Sequence, residues 1–376
     1  MLNPAMLIAP LSIGAIGAGL AALISVTDKI VNNYGEVTIN INSGKKEMTV
    51  QGGGNMLTTL AEQQIFIPSA CGGRGSCGEC KVKVTSDIGP TLPTELPWMS
   101  SEEIKENVRL SCQVKLKEDV EIEIPDYLFY IRRYSCTVER ISDLTHDIKE
   151  VSMKLPQGQS IEYKAGQYMQ LEAPKYGKVK EPTQRAYSMS SAPHEPDRIE
   201  FMIRLVPGGI VTTYVHEHMQ EGEKIDAIGP FGEFHVRDTD AMMICVAGGS
   251  GMAPFKAIFN DMIHTGRINE RDCWYFFGAR TAKDLFYVDW LNELQEKYER
   301  FHFVPALSEP EETDNWDGET GLITEVLDKY LKMPELANAD KEGYLCGSPG
   351  MLDACMDVMR DKNDMPDEKI YFDKFG

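Results

Sequence analysis

The sequence CGGRGSCGEC at residues 71–80 places three cysteines in a glycine-rich loop, and RLSCQ at residues 109–113 adds a fourth. Four thiolates in this pattern can supply each iron of a 2Fe–2S cluster with two sulfur ligands. The glycines permit the positive φ angles with which a backbone wraps closely around inorganic sulfide. Zinc is the alternative, but zinc sites built from four cysteines usually show two C-x-x-C pairs, and only one is present. The pattern favours an iron–sulfur cluster with the ligands Cys71, Cys77, Cys80 and Cys112.

The composition bounds the size, compartment and partners of the protein. The chain has 376 residues, enough for two or three domains that each bury a core. Its nine cysteines are few for this length and show no paired pattern beyond the cluster loop, which predicts reduced thiols in a cytoplasmic setting. The formal net charge of −20 argues against nucleic acid and against binding along an anionic lipid surface, since both would repel the chain.

The N-terminal segment is strongly apolar. Residues 5–24 contain Ser12 as their one polar side chain, and no charged residue occurs from Met1 to Thr27. At about 1.5 Å per residue, such a helix spans roughly 30 Å, the thickness of a bilayer core. A cleaved signal peptide would normally begin with Lys or Arg, and a buried core helix would be unusually rich in glycine. We therefore predict a single-pass anchor over residues 1–27. Positive charge follows it, as at Lys29, so the rest of the protein should face the cytoplasm from the inner membrane.

Three segments with different patterns of predicted strands and helices follow the anchor. Residues 34–128 alternate short strands and helices around the cysteine loop, which predicts a small α+β domain. Residues 131–238 read as successive strands with few helical stretches, which predicts an antiparallel β-barrel. Residues 239–376 alternate strand and helix, which predicts an α/β domain with a parallel sheet. The expected fold is therefore multidomain.

A glycine-rich loop in the last segment is a candidate nucleotide site. VAGGSGMAP at residues 246–254 follows a hydrophobic strand and opens a helix, where free N–H groups and the helix dipole favour phosphate. Its spacing is not G-x-G-x-x-G, and a simple tight turn is the alternative. YLCGSPGM at residues 344–351 ends a second strand, and ligands gather at such carboxyl ends. The predicted contacts are Gly248, Gly249, Gly251, Met252, Ala253, Pro254, Gly347, Ser348 and Pro349.

The predicted barrel carries a second candidate site in QRAYSMSS at residues 184–191. Arg185 could hold a diphosphate, Tyr187 could stack on a flat ring, and Ser188 could hydrogen-bond a ring nitrogen or carbonyl. The same letters also fit an ordinary exposed strand. PGGIVTTYV at residues 207–215 adds a glycine turn that leads into hydroxyl residues, a second candidate cradle for a diphosphate.

The order of these motifs resembles the ferredoxin-NADP reductase superfamily with a fused ferredoxin domain. The phrases LPTEL, RLSCQV, GPFGEF, DNWDG and FDKFG are most similar to the F subunits of sodium-translocating NADH:quinone oxidoreductases. This resemblance covers nearly the whole chain. It implies a β-grasp 2Fe–2S domain, an FAD-binding barrel and an NADH-binding domain in a membrane-anchored NADH dehydrogenase. Such a protein passes electrons to other integral-membrane subunits and ultimately to quinone, with sodium export.

The resemblance also implies roles for individual residues. Cys346 would be a neighbour of the hydride path rather than a nucleophile, with a small buried thiol as the alternative. Phe375 would cover the flavin until nicotinamide displaces it, with a core-packing side chain as the alternative. The FAD contacts would be Arg185, Ala186, Tyr187, Ser188, Gly209, Val211 and Thr212, and Tyr187 and Ser188 would also share the catalytic centre with Cys346.

The strand end FFGARTAKD at residues 276–284 predicts NADH rather than NADPH as the substrate. Only Arg280 and Lys283 could meet a 2′-phosphate there, and Asp284 opposes them. Arg280 is included among the NADH contacts. The acidic run EPEETD at residues 309–314 is interpreted as a solvated loop.

Three departures from the family pattern stand out. Five residues separate Cys71 from Cys77 where plant-type ferredoxins have four, a longer spacing that the F subunits share. Thr212 and Thr213 stand where serines are usual, and residues 175–184 lack an expected insertion, which bears on the partner interface. Two other functions stay open. One is a reductase that serves a soluble oxygenase, and the other is a non-enzymatic electron carrier whose flavin and nucleotide sites no longer bind their ligands. The intact RAYS and GGSGMAP phrases argue against the carrier.

Overall fold

The computed structural model describes residues 17–23, 25, 27 and 34–374. Residues 17–23 form helix α1, whose side chains are exposed. Most of the predicted anchor and the predicted flavin-covering Phe375 lie outside the described residues. Within the described part, we find no helix with the length and apolar character needed to cross a membrane.

The rest of the chain forms two compact units. The first contains the described residues up to Ser69 together with Gly73–Tyr130, and the second contains Ala70–Gly72 and Ile131 onward. The first unit is a mixed sheet in the order β2-β1-β5-β3-β4, in which β1 runs parallel to β5. Helix α2 buries Met56 and Leu60. The elements of this predicted α+β unit are β1 (Glu36–Ile41), β2 (Lys46–Gln51), α2 (Met56–Glu62), β3 (Lys81–Val84), α3 (Ser101–Lys105), β4 (Val108–Leu110) and β5 (Val120–Glu123).

A fully buried ion pair anchors the loop that precedes α3 to strand β4. Arg109 Nη2 donates to Glu95 Oε2 at 2.8 Å, and their side chains are 3% and 0% exposed. Glu95 also accepts the backbone N–H groups of Leu92 and Leu110. Burial by itself would raise the pKa of Glu95, but the hydrogen bonds from Arg109 and the two N–H groups outweigh it and lower that pKa. The carboxylate is therefore charged and bonded directly beside the strand that leads into Cys112.

The second unit begins with the predicted antiparallel barrel. Its strand order is β10-β7-β6-β11-β8-β9, and a bridge between Met189 and Phe201 brings the end of β9 back to β10. The closure leaves inward side chains such as Phe201 fully buried. The elements are β6 (Arg132–Asp143), β7 (Ile148–Lys154), β8 (Tyr168–Ala173), β9 (Thr183–Ser188), β10 (Arg198–Arg204), α4 (Ile210–Glu217) and β11 (Lys224–Phe231).

The second unit continues with the predicted α/β domain. Its strands are all parallel in the order β15-β14-β13-β12-β16-β17, so the connections reverse direction around β12 and open a crevice at the carboxyl ends of β12 and β16. The elements are β12 (Met242–Gly248), α5 (Met252–Thr265), β13 (Cys273–Ala279), α6 (Val288–Lys297), β14 (Phe301–Leu307), β15 (Glu319–Thr320), α7 (Ile323–Leu331), α8 (Pro334–Ala337), β16 (Lys341–Gly347), α9 (Pro349–Asp357) and β17 (Ile370–Lys374).

Short helical turns complete the described chain. The 3-10 turns are Leu96–Trp98, Asp126–Tyr130, Gly249–Gly251, Arg267–Asn269, Ala282–Asp284, Glu312–Asp314 and Asp367–Lys369, and a π-helical segment covers Val358–Lys362.

Buried charges join the barrel to the α/β domain. Lys256 on α5 donates to Glu150 at 2.7 Å and to Glu200 at 3.0 Å, and Tyr287 donates to Glu150 at 2.6 Å. Burial alone would lower the pKa of Lys256, but the charges of Glu200 and Glu150 outweigh it and raise that pKa. The ammonium therefore stays charged. Separating the two domains would leave buried charges unpaired, which holds the crevice in one geometry.

Candidate functional site at the carboxyl ends of the parallel strands

The predicted nucleotide loop closes against the second predicted strand end. Strand β12 ends at Gly248, a single turn follows, and α5 begins at Met252 and runs for 14 residues. Gly249 has a φ of +55°, and a Cβ at Gly251 would collide with the carbonyl oxygen of Cys346. The structure thus brings VAGGSGMAP and YLCGSPGM together, with the free N–H groups of a long helix beside them.

Cys346 lies at the base of this crevice. Its side chain is fully buried, and its neighbour across the sheet is Ala247 on β12. Burial, helped by the charge of Asp373, raises the pKa of the Cys346 thiol well above its usual value. A neutral thiol is a poor nucleophile. The burial therefore argues against a nucleophile, and it fits both the predicted neighbour of the hydride path and the alternative of a small buried thiol.

Ser188 at the end of barrel strand β9 reaches the same place. Its hydroxyl donates to Asp373 Oδ2 at 2.6 Å. Asp373 lies on β17 directly opposite Cys346 in the sheet register. The two predicted catalytic residues Ser188 and Cys346 are therefore linked through a carboxylate that the sequence interpretation missed. In the sequence, the one feature that pointed to this carboxylate was the stretch FDKFG at residues 372–376.

Tyr187 stands next to Ser188 and is half-buried against the barrel core. Its ring meets that of Phe201 edge to face with centroids 6.4 Å apart. Burial raises the pKa of the phenol, so it stays neutral. A half-exposed, rigid aromatic ring on this strand is suited to contact a flat cofactor. Arg185 and Ala186 precede it on the same strand and are also partly exposed.

The second predicted cradle is the turn before α4. Gly209 caps the helix, and Val211 is buried in its first turn. Thr212 Oγ1 accepts from the Val206 N–H at 3.2 Å and can donate to the Val206 carbonyl at 3.3 Å. The hydroxyl of Thr212 therefore fixes the turn, and the first-turn N–H groups are left to face an anion.

The sequence interpretation also missed Arg204, a cation beside the glycine loop. Its Nε donates to Asp147 Oδ2 at 2.6 Å. A Cβ built on Gly249 would lie 3.6 Å from its Nη1, so the guanidinium stands over the loop. The signal was a basic residue three positions before Pro207, the first residue of the PGG turn. A pyrophosphate on this loop would meet both the helix dipole and a fixed cation.

The short segment before β9 is anchored by Tyr176. Its hydroxyl bonds to the carbonyl of Ile210, and its ring packs on Tyr214 and His218 with centroids 5.3 and 4.8 Å away. Residues 175–184 therefore form a compact connection anchored on α4.

The cysteine loop has the backbone that its glycines predict. Gly72, Gly73, Gly75 and Gly78 have φ between +66° and +83°. A Cβ at Gly78 would lie 2.9 Å from the ring of Trp98. The loop therefore has no room for a larger residue in place of Gly78, and small residues allow the backbone to approach a cluster closely.

The four cysteines differ in their exposure. Cys71, Cys80 and Cys112 are buried and Cys77 is partly exposed. A hydrogen bond with Cys112, together with burial, raises the pKa of Cys80, which places these two thiols side by side. In residues 17–23, 25, 27 and 34–374, no group of three or more His, Cys, Asp or Glu side chains is arranged to hold a single metal ion. A 2Fe–2S cluster needs only two thiolates at each iron.

Comparisons with protein families assign a cofactor to each domain. Residues 39–117 match the 2Fe-2S iron-sulfur cluster binding domain, residues 135–236 the oxidoreductase FAD-binding domain, and residues 245–357 the oxidoreductase NAD-binding domain. The predicted FAD, 2Fe–2S and NAD(H) sites are therefore confirmed at the level of domains. The residue-level contacts and the boundaries at residues 34–128, 131–238 and 239–376 stay predictions.

Solved structures share this architecture. The cytochrome P450 reductase GcoB of Amycolatopsis is 25% identical, with a TM-score of 0.71 over 90% of this chain and 98% of its own. The ferredoxin reductase in carbazole 1,9a-dioxygenase is also 25% identical, with a TM-score of 0.67 over 91% and 99%. Fold and site together define an iron–sulfur flavoprotein reductase that uses a nicotinamide dinucleotide.

Full-length relatives specify the family. The F subunit of the Na(+)-translocating NADH-quinone reductase of Marinomonas sp. (strain MWYL1) is 38% identical over 413 residues and all of both chains. The F subunit of the Neisseria meningitidis enzyme (strain FAM18) is 38% identical over 95% of this chain and 96% of its own. The chain belongs to the family of Na(+)-translocating NADH-quinone reductase F subunits. The predicted family, oxidoreductase class and electron path from NADH through FAD to 2Fe–2S are confirmed. The first alignment exceeds the 376 residues of this chain, so that relative has residues that this chain lacks.

Proposed function

We propose that this chain is the NADH-oxidising subunit of a membrane complex, anchored by residues 1–27, with its domains in the cytoplasm. It takes electrons from NADH, passes them singly to partner integral-membrane subunits and supplies quinone indirectly. The hydrogen bond between Ser188 and Asp373 carries the proposal, because it joins the barrel to the crevice of the α/β domain. The apolar N-terminal sequence and the relatives' shared name support the membrane setting.

The residues at the crevice would bind and orient NADH. The Gly248–Gly251 loop, the N–H groups of α5 and the Arg204 guanidinium would hold the pyrophosphate. Gly347, Ser348 and Pro349, at the start of α9, would line the opposite wall. Arg280 would meet the adenosine end. The neutral Cys346 thiol would pack beside the nicotinamide and exclude water.

The barrel residues would hold FAD. Arg185 and the first turn of α4 would neutralise its diphosphate, and Tyr187 would pack on its ring. Asp373 would fix the Ser188 hydroxyl toward the ring edge, and Phe375, two residues beyond Asp373, would cover the exposed face. FAD, when bound, accepts two electrons as hydride and releases them one at a time.

The four loop cysteines would ligate the 2Fe–2S cluster. The positive φ angles of the loop glycines suit a backbone that wraps closely around cluster sulfides. Zinc supports no electron transfer, so the confirmed electron path requires iron in this domain.

Anaerobic addition of NADH to the purified full-length protein tests the proposal. We expect the flavin absorbance to bleach and the EPR signal of a reduced 2Fe–2S cluster to appear. NADH oxidation without any cluster signal would contradict the assigned electron exit, and an unreduced flavin would contradict the whole path.

A second candidate function is a reductase that serves an oxygenase system. The two similar structures are a cytochrome P450 reductase and the ferredoxin reductase in carbazole 1,9a-dioxygenase. Extraction of the native protein from membranes distinguishes the two functions. We expect detergent to be required, and release by high salt alone would favour the oxygenase reductase.

Ser188→Ala and Asp373→Asn are each expected to slow flavin reduction by NADH about tenfold, because each removes a hydrogen bond to a charged group that orients the reacting face. The dissociation constant for NADH should change little, and Ser188→Thr should retain most of the rate. Stopped-flow absorbance measures both quantities. Asp353→Asn is the matched control, since Asp353 bonds to Lys374 beside the site and not to Ser188. Equal slowing in the control would refute the role of the Ser188–Asp373 pair.

A further inference from the structure

The carboxyl end of β13 is the place where a dinucleotide's adenosine ribose is recognised in folds of this kind. An acidic residue there binds the 2′-hydroxyl of NAD, whereas an arginine accommodates the 2′-phosphate of NADP. Strand β13 ends at Ala279 and is followed by Arg280 and Lys283. By composition alone, this strand end could bind a 2′-phosphate.

The structure shows that both cations are already engaged by the acidic run at residues 309–314. Arg280 Nη2 lies 2.6 Å from Glu309 Oε2, and Lys283 Nζ lies 2.7 Å from Glu311 Oε2. The sequence interpretation of this run as a merely solvated loop is therefore incomplete. Its carboxylates face the strand end.

Backbone hydrogen bonds fix the acidic run at this position. The Ser308 N–H donates to the Ala279 carbonyl at 3.0 Å, and the Glu309 N–H donates to the Arg280 carbonyl at 2.8 Å. Asp314 accepts the Glu311 N–H at 2.8 Å, which closes the run on itself. The carboxylates are thus held beside the ribose position by main-chain contacts and not only by flexible side chains.

We propose that the acidic loop, residues 309–314, is the determinant of coenzyme choice and rejects dinucleotides that carry a 2′-phosphate. This inference rests on the proposed docking of NADH at the Gly248–Gly251 loop. The acidic loop neutralises Arg280 and Lys283, the two cations that would otherwise attract the phosphate. NADH, which has no phosphate at this position, leaves both ion pairs intact.

Pairing and repulsion together supply the discrimination. Exposed ion pairs contribute little individually, so a phosphate could displace Glu309 or Glu311 from their partners. The displaced carboxylates would then lie next to a group that carries nearly two negative charges at neutral pH. Glu312, Asp314 and Asp284 add negative charge nearby, and His146 is 3.5 Å from Asp284. A 2′-phosphate would therefore enter a region with more carboxylates than cations.

The test uses the full-length, FAD-loaded protein with the double substitution Glu309→Gln and Glu311→Gln. The probes are 2′,5′-ADP, which carries the 2′-phosphate, and 5′-ADP, which does not. Titration calorimetry gives their dissociation constants, and anaerobic flavin reduction by NADPH and NADH gives the catalytic preference. We expect the double variant to bind 2′,5′-ADP about tenfold more tightly, with a similar gain for NADPH. Binding of 5′-ADP and reduction by NADH should change less than about twofold.

Two matched variants distinguish the effect of the Glu309 and Glu311 ion pairs from the effect of the net charge of the acidic loop. Glu312→Gln removes a charge from the same loop but from a side chain that forms no ion pair within the described residues, so its gain in affinity for 2′,5′-ADP should be much smaller than that of the double variant. Adding Arg280→Ala to the double variant should cancel the gain, since the released guanidinium is what binds the phosphate.

The outcomes distinguish this inference from the function on which it rests. An unchanged affinity of the double variant for 2′,5′-ADP, while 5′-ADP still binds, overturns the acidic loop as the determinant and leaves the NADH site standing. An equal gain in Glu312→Gln also overturns it, in favour of net charge. Failure of the unsubstituted protein to bind 5′-ADP or NADH overturns the docking site itself, and the inference with it.

Discussion

Cys112→Ala is expected to abolish the 2Fe–2S cluster while flavin reduction by NADH persists. The substitution leaves one iron with a single protein thiolate, and the buried position of Cys112 offers no room for a solvent ligand. Electron transfer from NADH to an artificial flavin-level acceptor should continue, but transfer beyond the flavin should stop. EPR after chemical reduction, together with iron and sulfide analysis, measures the loss.

Cys136→Ala provides the control for Cys112→Ala. Cys136 is also a fully buried cysteine, but it lies in the barrel core on β6. Its substitution should leave the cluster signal intact. A full 2Fe–2S signal with unchanged g-values in Cys112→Ala would show that the ligand assignment is wrong.

Glu95→Gln is expected to destabilise the first unit by about 3 kcal/mol, because it leaves the Arg109 guanidinium buried without a counter-charge. Glutamine keeps the size of the side chain, so the loss reports the charge and not a cavity. The midpoint of urea unfolding, followed by the visible circular dichroism of the cluster, should fall by about 1 to 3 M. Glu106→Gln is the control, since Glu106 is exposed and 3.7 Å from Lys83, and its midpoint should barely move.

The same ion pair predicts a pH dependence. The pKa of Glu95 is lowered in the folded protein, so its contribution is fully present above the unfolded value near 4.5 and is lost as the pH falls through the folded value. The difference between the unsubstituted protein and Glu95→Gln should therefore be constant from pH 8 to pH 5 and shrink at lower pH. A difference that stays constant below pH 4 would contradict the role of the charged carboxylate.

The local patterns of the sequence were enough to predict the three domain types. Alternating strands and helices after residue 239 predicted the parallel sheet, since hydrophobic periodicity is a property of neighbouring residues. The spacing of Cys71, Cys77 and Cys80 predicted the cluster loop for the same reason, because all three cysteines lie within ten consecutive residues. The shortness of residues 175–184 was also visible, although the anchoring of Tyr176 on α4 was not.

Long-range partners escaped sequence reasoning. Asp373 is 185 residues from Ser188, and Glu309 is 29 residues from Arg280. An acidic residue that is to bond a distant hydroxyl looks the same in a sequence as one that faces water. The run EPEETD was interpreted as solvated on that basis, and Glu95 in LPTEL gave no sign that it would be fully buried.

The amino-acid sequence by itself placed the cluster loop and the glycine-rich turns, because such motifs are built from consecutive residues, and the resemblance that these motifs carry implied the cofactors and the order of electron transfer. The folded chain decided which side chains complete the site: Asp373 beside Ser188, Arg204 over Gly249, and the acidic loop against Arg280. Those pairings bring together residues far apart in the sequence, and the first two join the barrel sheet to the parallel sheet. Strand order and register set their distances, and neither is encoded within any single stretch of the chain.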